Sequence, residues 1–217
     1  EMIKVRDYVP EYAVIAHRGS TFWTPEETES AYRWAREIGA DYLECDMQVS
    51  KDGVVLALHD DNLKRTTNIE TVFGETLPRE IRKNYYMKIG YSETEAEEKV
   101  KADEANFVPN LPAYYTYEEL LMLDAGSWFN NENLEEALPG LAKEKQYIST
   151  LEDLIMYSKG YRLIRDRNQP GMPRQYSIVG KTGETITSLS GTADIVKYDF
   201  GYEIDPVWEA GNKNIPG

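Results

Sequence analysis

The 217-residue chain holds one cysteine, Cys45, and two histidines, His17 and His59. A single thiol excludes a disulfide framework within the chain, and the Cys and His spacings of structural zinc sites are missing. Basic residues are also scarce: 24 Lys and Arg stand against 38 Asp and Glu, a formal net charge of −14. That balance argues against non-specific binding of nucleic acid or an anionic membrane surface. An anionic substrate would need local attraction, from a placed arginine or a metal. No apolar run approaches the roughly 20 residues of a membrane span. There is no internal repeat and no Gly-rich phosphate loop. The length is enough for one domain with a sizeable core.

What the chain does have is a patterned stretch between Tyr42 and Asp60. Leu43, Cys45, Met47 and Val49 alternate with Glu44, Asp46, Gln48 and Ser50. This period of two puts Glu44 and Asp46 on one strand face and Cys45 on the apolar side, as a small buried residue. Ser50-Lys51-Asp52-Gly53 predicts a type I turn followed by a left-handed residue. The gap to Val54 is too short for a crossover helix, so the strands pair antiparallel. Folding about Lys51-Asp52 brings Glu44 opposite His59, and a bulge at Gly53 shifts that register by one residue. Taken alone, two acids on an alternating strand mark only a solvated face.

Residues 13–16 form a short apolar run, the pattern of a fully buried strand, and lead into His17-Arg18-Gly19-Ser20. Thr24, Pro25 and Glu27 then predict a helix start, with Thr24 as N-cap and Glu27 completing a capping box. Ala31, Trp34, Ala35 and Ile38 follow at helical spacing, and Gly39 ends the helix. Strand, loop, helix, strand is the opening of an α/β fold, whose sites lie beyond the C-terminal ends of the strands. His17 and Arg18 fall there. Both histidines of the chain thus sit at strand ends beside charged residues.

These residues carry a resemblance. IAHRGS from Ile15, then PEETESAYRWAREIGADYLECDMQVSKDGVVLALHDDNLKRTTN as far as Asn68, is similar to the glycerophosphodiester phosphodiesterase family. YTYEELLMLDAGSWF from Tyr115 and TLEDLI from Thr150 add a weaker match. The resemblance implies a TIM-type (β/α) barrel with insertions, of which this chain supplies the N-terminal part. It implies hydrolysis of a small-molecule glycerophosphodiester to glycerol 3-phosphate and an alcohol. His17 and His59 would be the acid–base pair, Arg18 would hold the phosphate, and Glu44 and Asp46 would bind one divalent cation. All-oxygen ligands favour Ca²⁺ or Mg²⁺ over zinc. Trp128 and Phe129 are candidates to pack against the glycerol moiety, with core packing the alternative. Position 27 departs from the pattern, since the family usually has Asn where this chain has Glu27. A third carboxylate ligand is implied on a strand after the TLED helix. Residues 161–167 hold no Glu, Glu203 is a poor substitute, and the ligand-bearing strand is expected beyond Gly217. The start at Glu1 and the origin of such substrates in lipid breakdown suggest a periplasmic or secreted protein. A sphingomyelinase D-like phospholipase on the same scaffold, or a non-catalytic phosphate- or glycan-binding module, are the rival readings.

The same sequence divides into an N-terminal barrel portion over 1–68, an insertion over 69–114, barrel helices over 115–160 and a second insertion over 161–217. Within the first insertion the mixed-charge run from Glu93 to Glu104 predicts a solvated helix. Thr116 with Glu119 forms a capping box, another helix starts near Ser149 or Thr150, and Gly160 stops it. Residues 175–179 and 184–189 read as paired strands.

Overall fold

In the computed structural model, residues 11–132, 145–164, 175–178 and 185–186 are described. The chain opens as a strand–helix–strand unit. Strand β1 (Ile15–Ala16) runs parallel to β2 (Tyr42–Leu43), with Ile15 opposite Tyr42, and helix α1 (Glu29–Glu37) connects them. This is the α/β opening that the sequence predicts for a (β/α) barrel.

Helix α1 begins later than its sequence signals suggest. Thr28, not Thr24, is the N-cap, and its hydroxyl accepts from the Ala31 N–H. Thr24 instead donates to the Ser20 carbonyl at 2.7 Å. The reason lies at Glu27, which sits at a φ of 59°, in the left-handed region that a right-handed helix cannot pass through. Beyond that point the periodicity holds: Ala31, Trp34 and Ala35 are buried, and Tyr32 packs with Leu154, Met156 and Tyr157 of α7 (Leu151–Ser158).

Strand β1 differs from expectation in its burial. The apolar run at 13–16 predicts a fully buried strand, yet Val14 and Ile15 are 59% and 60% exposed. Among the described residues, nothing packs over them. Apolar character here is not matched by a covering layer among the described residues.

The hairpin forms, with its bulge. Strand β3 (Met47–Val49) pairs antiparallel with β4 (Val55–Ala57), Met47 opposite Ala57 and Val49 opposite Val55. The Gly53 N–H donates to Ser50 O at 3.0 Å, the Ser50 N–H donates to Val54 O at 2.9 Å, and Gly53 has a φ of 84°. A type I turn closed by a left-handed glycine is the geometry that Ser-Lys-Asp-Gly predicts. Extending this register sets Glu44 level with Asp60, one residue on from His59. The long strand expected through 43–49 is split. Residues up to Leu43 pair with β1, those from Met47 pair with β4, and Glu44 to Asp46 form the crossing between them. On the expected apolar side, Leu43 and Cys45 pack on the Tyr32–Ala57 cluster, but Met47 and Val49 lie open.

The largest core gathers Leu56 and Leu58 beside β4 with Leu63, Ile69, Tyr115, Leu120, Leu123 and Ile148. Around it run α2 (Ile69–Val72), α3 (Arg79–Lys88), α4 (Glu93–Ala105), a 3-10 turn (Pro112–Tyr114), α5 (Tyr117–Leu120) and α6 (Ser127–Glu132). Helix α4 buries only Ala96 and Val100, as its charge run predicts. It is tied down by Arg82 of α3, which is fully buried. That guanidinium reaches Asp103 at 2.5 Å, both oxygens of Glu119 at 2.8 and 2.7 Å, and the Tyr114 carbonyl at 2.7 Å. Glu119 meanwhile closes the predicted capping box with Thr116. The hairpin loop rests on this assembly: Lys51 Nζ lies 2.8 Å from Asp103, and Asp52 accepts the Tyr117 N–H at 2.9 Å.

Thr150 caps α7 in a capping box with Asp153, and Gly160 follows at a φ of 88°. After it, β5 (Tyr161–Ile164), β6 (Gln175–Ile178) and β7 (Thr185–Ile186) form an antiparallel sheet rather than a further parallel strand. No described helix is long and apolar enough to cross a membrane.

Candidate active site

The loop after β1 turns sharply. Arg18 has a φ of 54° and Gly19 one of 88°. A Cβ on Gly19 would lie 2.6 Å from that of Ala31, so the loop is pressed onto α1 and only glycine fits. This turn aims the Arg18 N–H at Glu44, whose Oε2 accepts it at 3.0 Å. The Arg18 Nε lies 3.0 Å from Asp46 Oδ2, an ionic contact outside hydrogen-bonding angles, so both buried atoms lack a hydrogen-bond partner. His17, Glu44 and Asp46 each present one ligand atom, all within 4.8 Å of one another. The imidazole is exposed and the two carboxylates are half-buried.

Glu27 stands behind this group. It is 4% exposed, its Oε1 accepts the Asp46 N–H at 2.9 Å, and Tyr32 Oη donates to its Oε2. Its own N–H donates to Arg18 O at 3.0 Å. Burial pushes this carboxyl up to about 7, the Asp46 and Glu44 charges add to the rise, and the Tyr32 and Asp46 hydrogen bonds oppose it. Burial is also the main reason that the Cys45 thiol is pushed up to about 11, which leaves it protonated near neutral pH. The sequence marks position 27 as a departure from a pattern and as the close of a capping box that does not form. Its link between the Arg18 loop and the Asp46 crossing depends on a backbone twist that composition does not signal.

His59 belongs to a second group. Its Nδ1 lies 2.7 Å from Asp60 Oδ1. Arg65 grips Asp60 through Nε at 2.6 Å and Nη2 at 2.9 Å. These hydrogen bonds hold the Asp60 carboxyl down to about 2, with His59 adding to the effect. The same Arg65 binds Glu26 through Nη1 at 3.0 Å and Nη2 at 2.6 Å, and Arg18 Nη1 reaches Glu26 at 3.5 Å. Side-chain contacts therefore run without a break from His59 through Asp60, Arg65, Glu26 and Arg18 to Asp46. The Trp128 ring lies against this chain, 5.8 Å from the Arg65 guanidinium carbon, with its indole N–H on Ala125 O. Phe129 is 3% exposed and packs edge-on against Trp128, as a core side chain among the described residues. Glu203 lies outside the described residues. Among those described, no third carboxylate joins Glu44 and Asp46.

The sequence profile of the Glycerophosphoryl diester phosphodiesterase family matches residues 17–179, which covers both groups. The chain belongs to this family. A glycerophosphoinositol inositolphosphodiesterase of Mus musculus is 28% identical over 199 residues, 87% of this chain and 31% of the relative. A glycerophosphodiester phosphodiesterase of Bacillus subtilis is 29% identical over 141 residues, 65% of this chain and 34% of the relative. This phosphodiesterase-family chain thus spans about a third of the length of these curated relatives. A solved phosphodiesterase of Oleispira antarctica, in complex with sn-glycerol-3-phosphate as product, is 25% identical. It covers 70% of this chain and 41% of that one, at a TM-score of 0.43.

The residues fit a divalent cation. Two carboxylates from one crossing supply hard oxygen donors, and Asp46 Oδ2 accepts no hydrogen bond, its close neighbour being Arg18 Nε at 3.0 Å. The exposed His17 imidazole stands beside them. Arg18 supplies the positive charge that an anionic substrate needs in so acidic a chain.

Proposed function

We propose that the protein carrying this chain hydrolyses glycerophosphodiesters to glycerol 3-phosphate and an alcohol. The observation that carries this reading is the convergence of His17, Glu44 and Asp46 within 4.8 Å, beside Arg18, in a chain of the phosphodiesterase family. A divalent cation, Ca²⁺ or Mg²⁺, held by Glu44 and Asp46 would neutralise a non-bridging phosphate oxygen and polarise phosphorus. Arg18 orients the phosphate from the same side. His17 takes a proton from the attacking water as its oxygen bonds to phosphorus. His59 gives a proton to the alcohol oxygen as the phosphorus–oxygen bond breaks. Asp60 accepts at His59 Nδ1, which leaves Nε2 to carry the transferred proton.

The test is product analysis with glycerophosphocholine, and with glycerophosphoinositol because the mouse relative is named for it. The expected outcome is release of glycerol 3-phosphate, abolished by EDTA and restored by Ca²⁺ or Mg²⁺. Turnover that resists the chelator, or cleavage confined to long-chain phospholipids, would overturn the reading.

A further inference from the structure

Arg65 is the one described side chain in bidentate contact with two separate carboxylates at the site's edge, Asp60 and Glu26. A guanidinium has five N–H donors in a fixed planar fork. Four of them are committed: Nε and one Nη2 proton to Asp60, the other Nη2 proton and one of Nη1 to Glu26. Two carboxylates balance its single charge. Such a group has little left with which to hold a phosphate, although it lies in the neighbourhood where phosphate should bind. Its contacts run elsewhere. Through Asp60 it reaches His59 Nδ1 at 2.7 Å. Through Glu26 it reaches Arg18 Nη1 at 3.5 Å, and Arg18 in turn stands 3.0 Å from Asp46. The Trp128 ring sits 5.8 Å from the guanidinium carbon, where a cation over an aromatic face is favourable.

We propose that Arg65 is a positioning residue which locks the His59 imidazole and the Arg18 guanidinium into one fixed relation by gripping Asp60 and Glu26 at once. The proposal rests on the acid–base reading of His59. A carboxylate that fixes the tautomer and direction of a histidine must itself be fixed, as the orienting acid of a hydrolase triad is. Asp60 is half-buried and lies outside any regular element. Arg65 supplies the missing constraint from five residues along the chain, and Glu26 extends it 39 residues back to the other half of the site.

The test uses the full-length protein and four variants: Arg65→Met, Arg65→Lys, Asp60→Asn and the double variant Arg65→Met/Asp60→Asn. Arg65→Met should lower kcat by about 10–100-fold, the usual loss when a partner behind a functional histidine is removed, with KM changed less than about threefold. Arg65→Lys should recover only part of that loss, because an ammonium cannot grip both carboxylates in a fork. The double variant should be no slower than the worse of its parents, since both changes release the same imidazole. The low-field proton resonance of His59 Nδ1 should weaken in Arg65→Met. Unchanged kcat in Arg65→Lys, or a rise in KM with kcat intact, overturns the proposal, and so does full additivity in the double variant. If Arg65→Met does not fold, the lysine variant and Asp60→Asn carry the same comparison. His59→Ala run alongside separates the two levels. If it keeps full activity the acid–base reading fails; if it is inactive while Arg65→Lys is normal, only the positioning role fails.

Discussion

Glu27 is a buried acid placed against two other acids, and its position has a measurable cost. Its folded pKa, about 7, lies above the ordinary 4.5. Between those values the folded chain holds a proton that the unfolded chain has lost. Its stabilising contribution is therefore complete below pH 4.5 and disappears as pH rises through about 7. Glu27→Gln should remove this slope, keep the acceptor for the Asp46 N–H, and melt above the parent at pH 8 but not at pH 4.5. Thermal unfolding in EDTA at the two pH values checks this, and a variant that melts below the parent at pH 8 refutes it. The histidines make a second prediction at this scale. His17→Ala and His59→Ala should each lower kcat by about 10²–10⁴, the usual worth of a general acid or base. Steady-state kinetics on folded variants decide it, and near-normal turnover in either removes that residue from the mechanism.

Local sequence chemistry places some elements well and others badly, for physical reasons. The hairpin loop is legible because Ser-Lys-Asp-Gly has one cheap way to reverse the chain, and the bulge-shifted register follows from Gly53. The capping box at Thr116 and the helix start near Thr150 are legible because each is settled within four residues. The start of α1 is not, although Thr24 and Glu27 have the same spacing, because the Glu27 carboxyl is engaged 19 residues away at Asp46. A tertiary partner outweighs a local cap. The candidate site divides in the same way: His17, Arg18, Glu44 and Asp46 are marked by chain pattern, whereas the Arg65 bridge exists only once the two halves meet. Two glycines separate local from tertiary constraint experimentally. Gly53 has a φ of 84° and open space around it, so Gly53→Ala should cost about 1–2 kcal/mol, the left-handed penalty alone. Gly19 has a φ of 88° and Ala31 atoms at 2.6 and 2.8 Å from any Cβ. Gly19→Ala should cost roughly 2–5 kcal/mol, since overpacking adds to that penalty. Urea denaturation of both variants gives the comparison, and equal losses would contradict the packing argument.

Across the whole molecule, polar anchors join parts that share little apolar surface. Helix α4 buries two side chains, so its attachment depends on Arg82 and the carboxylates around it. Arg82→Met should cost about 3–5 kcal/mol, because the fully buried Glu119 carboxylate loses its counter-charge. Equilibrium unfolding of the variant measures the loss, and one below 1 kcal/mol would show that α4 does not depend on Arg82. The hairpin gains from this arrangement at a distance. It is tied at the Glu44–Asp46 end by Arg18 and Glu27, and at its loop by Lys51 to Asp103 and Asp52 to Tyr117. In mechanical terms it is a beam built in at both ends, not a cantilever. A cantilever swings most at the free tip and transmits that swing to its root, whereas a beam held at both ends bends little anywhere. Weakening the outer support by Lys51→Ala with Asp52→Ala, which leaves the Lys51 N–H on Tyr115 O in place, should thus quicken amide exchange at Met47 and Gln48, near the carboxylates, although neither substitution touches them.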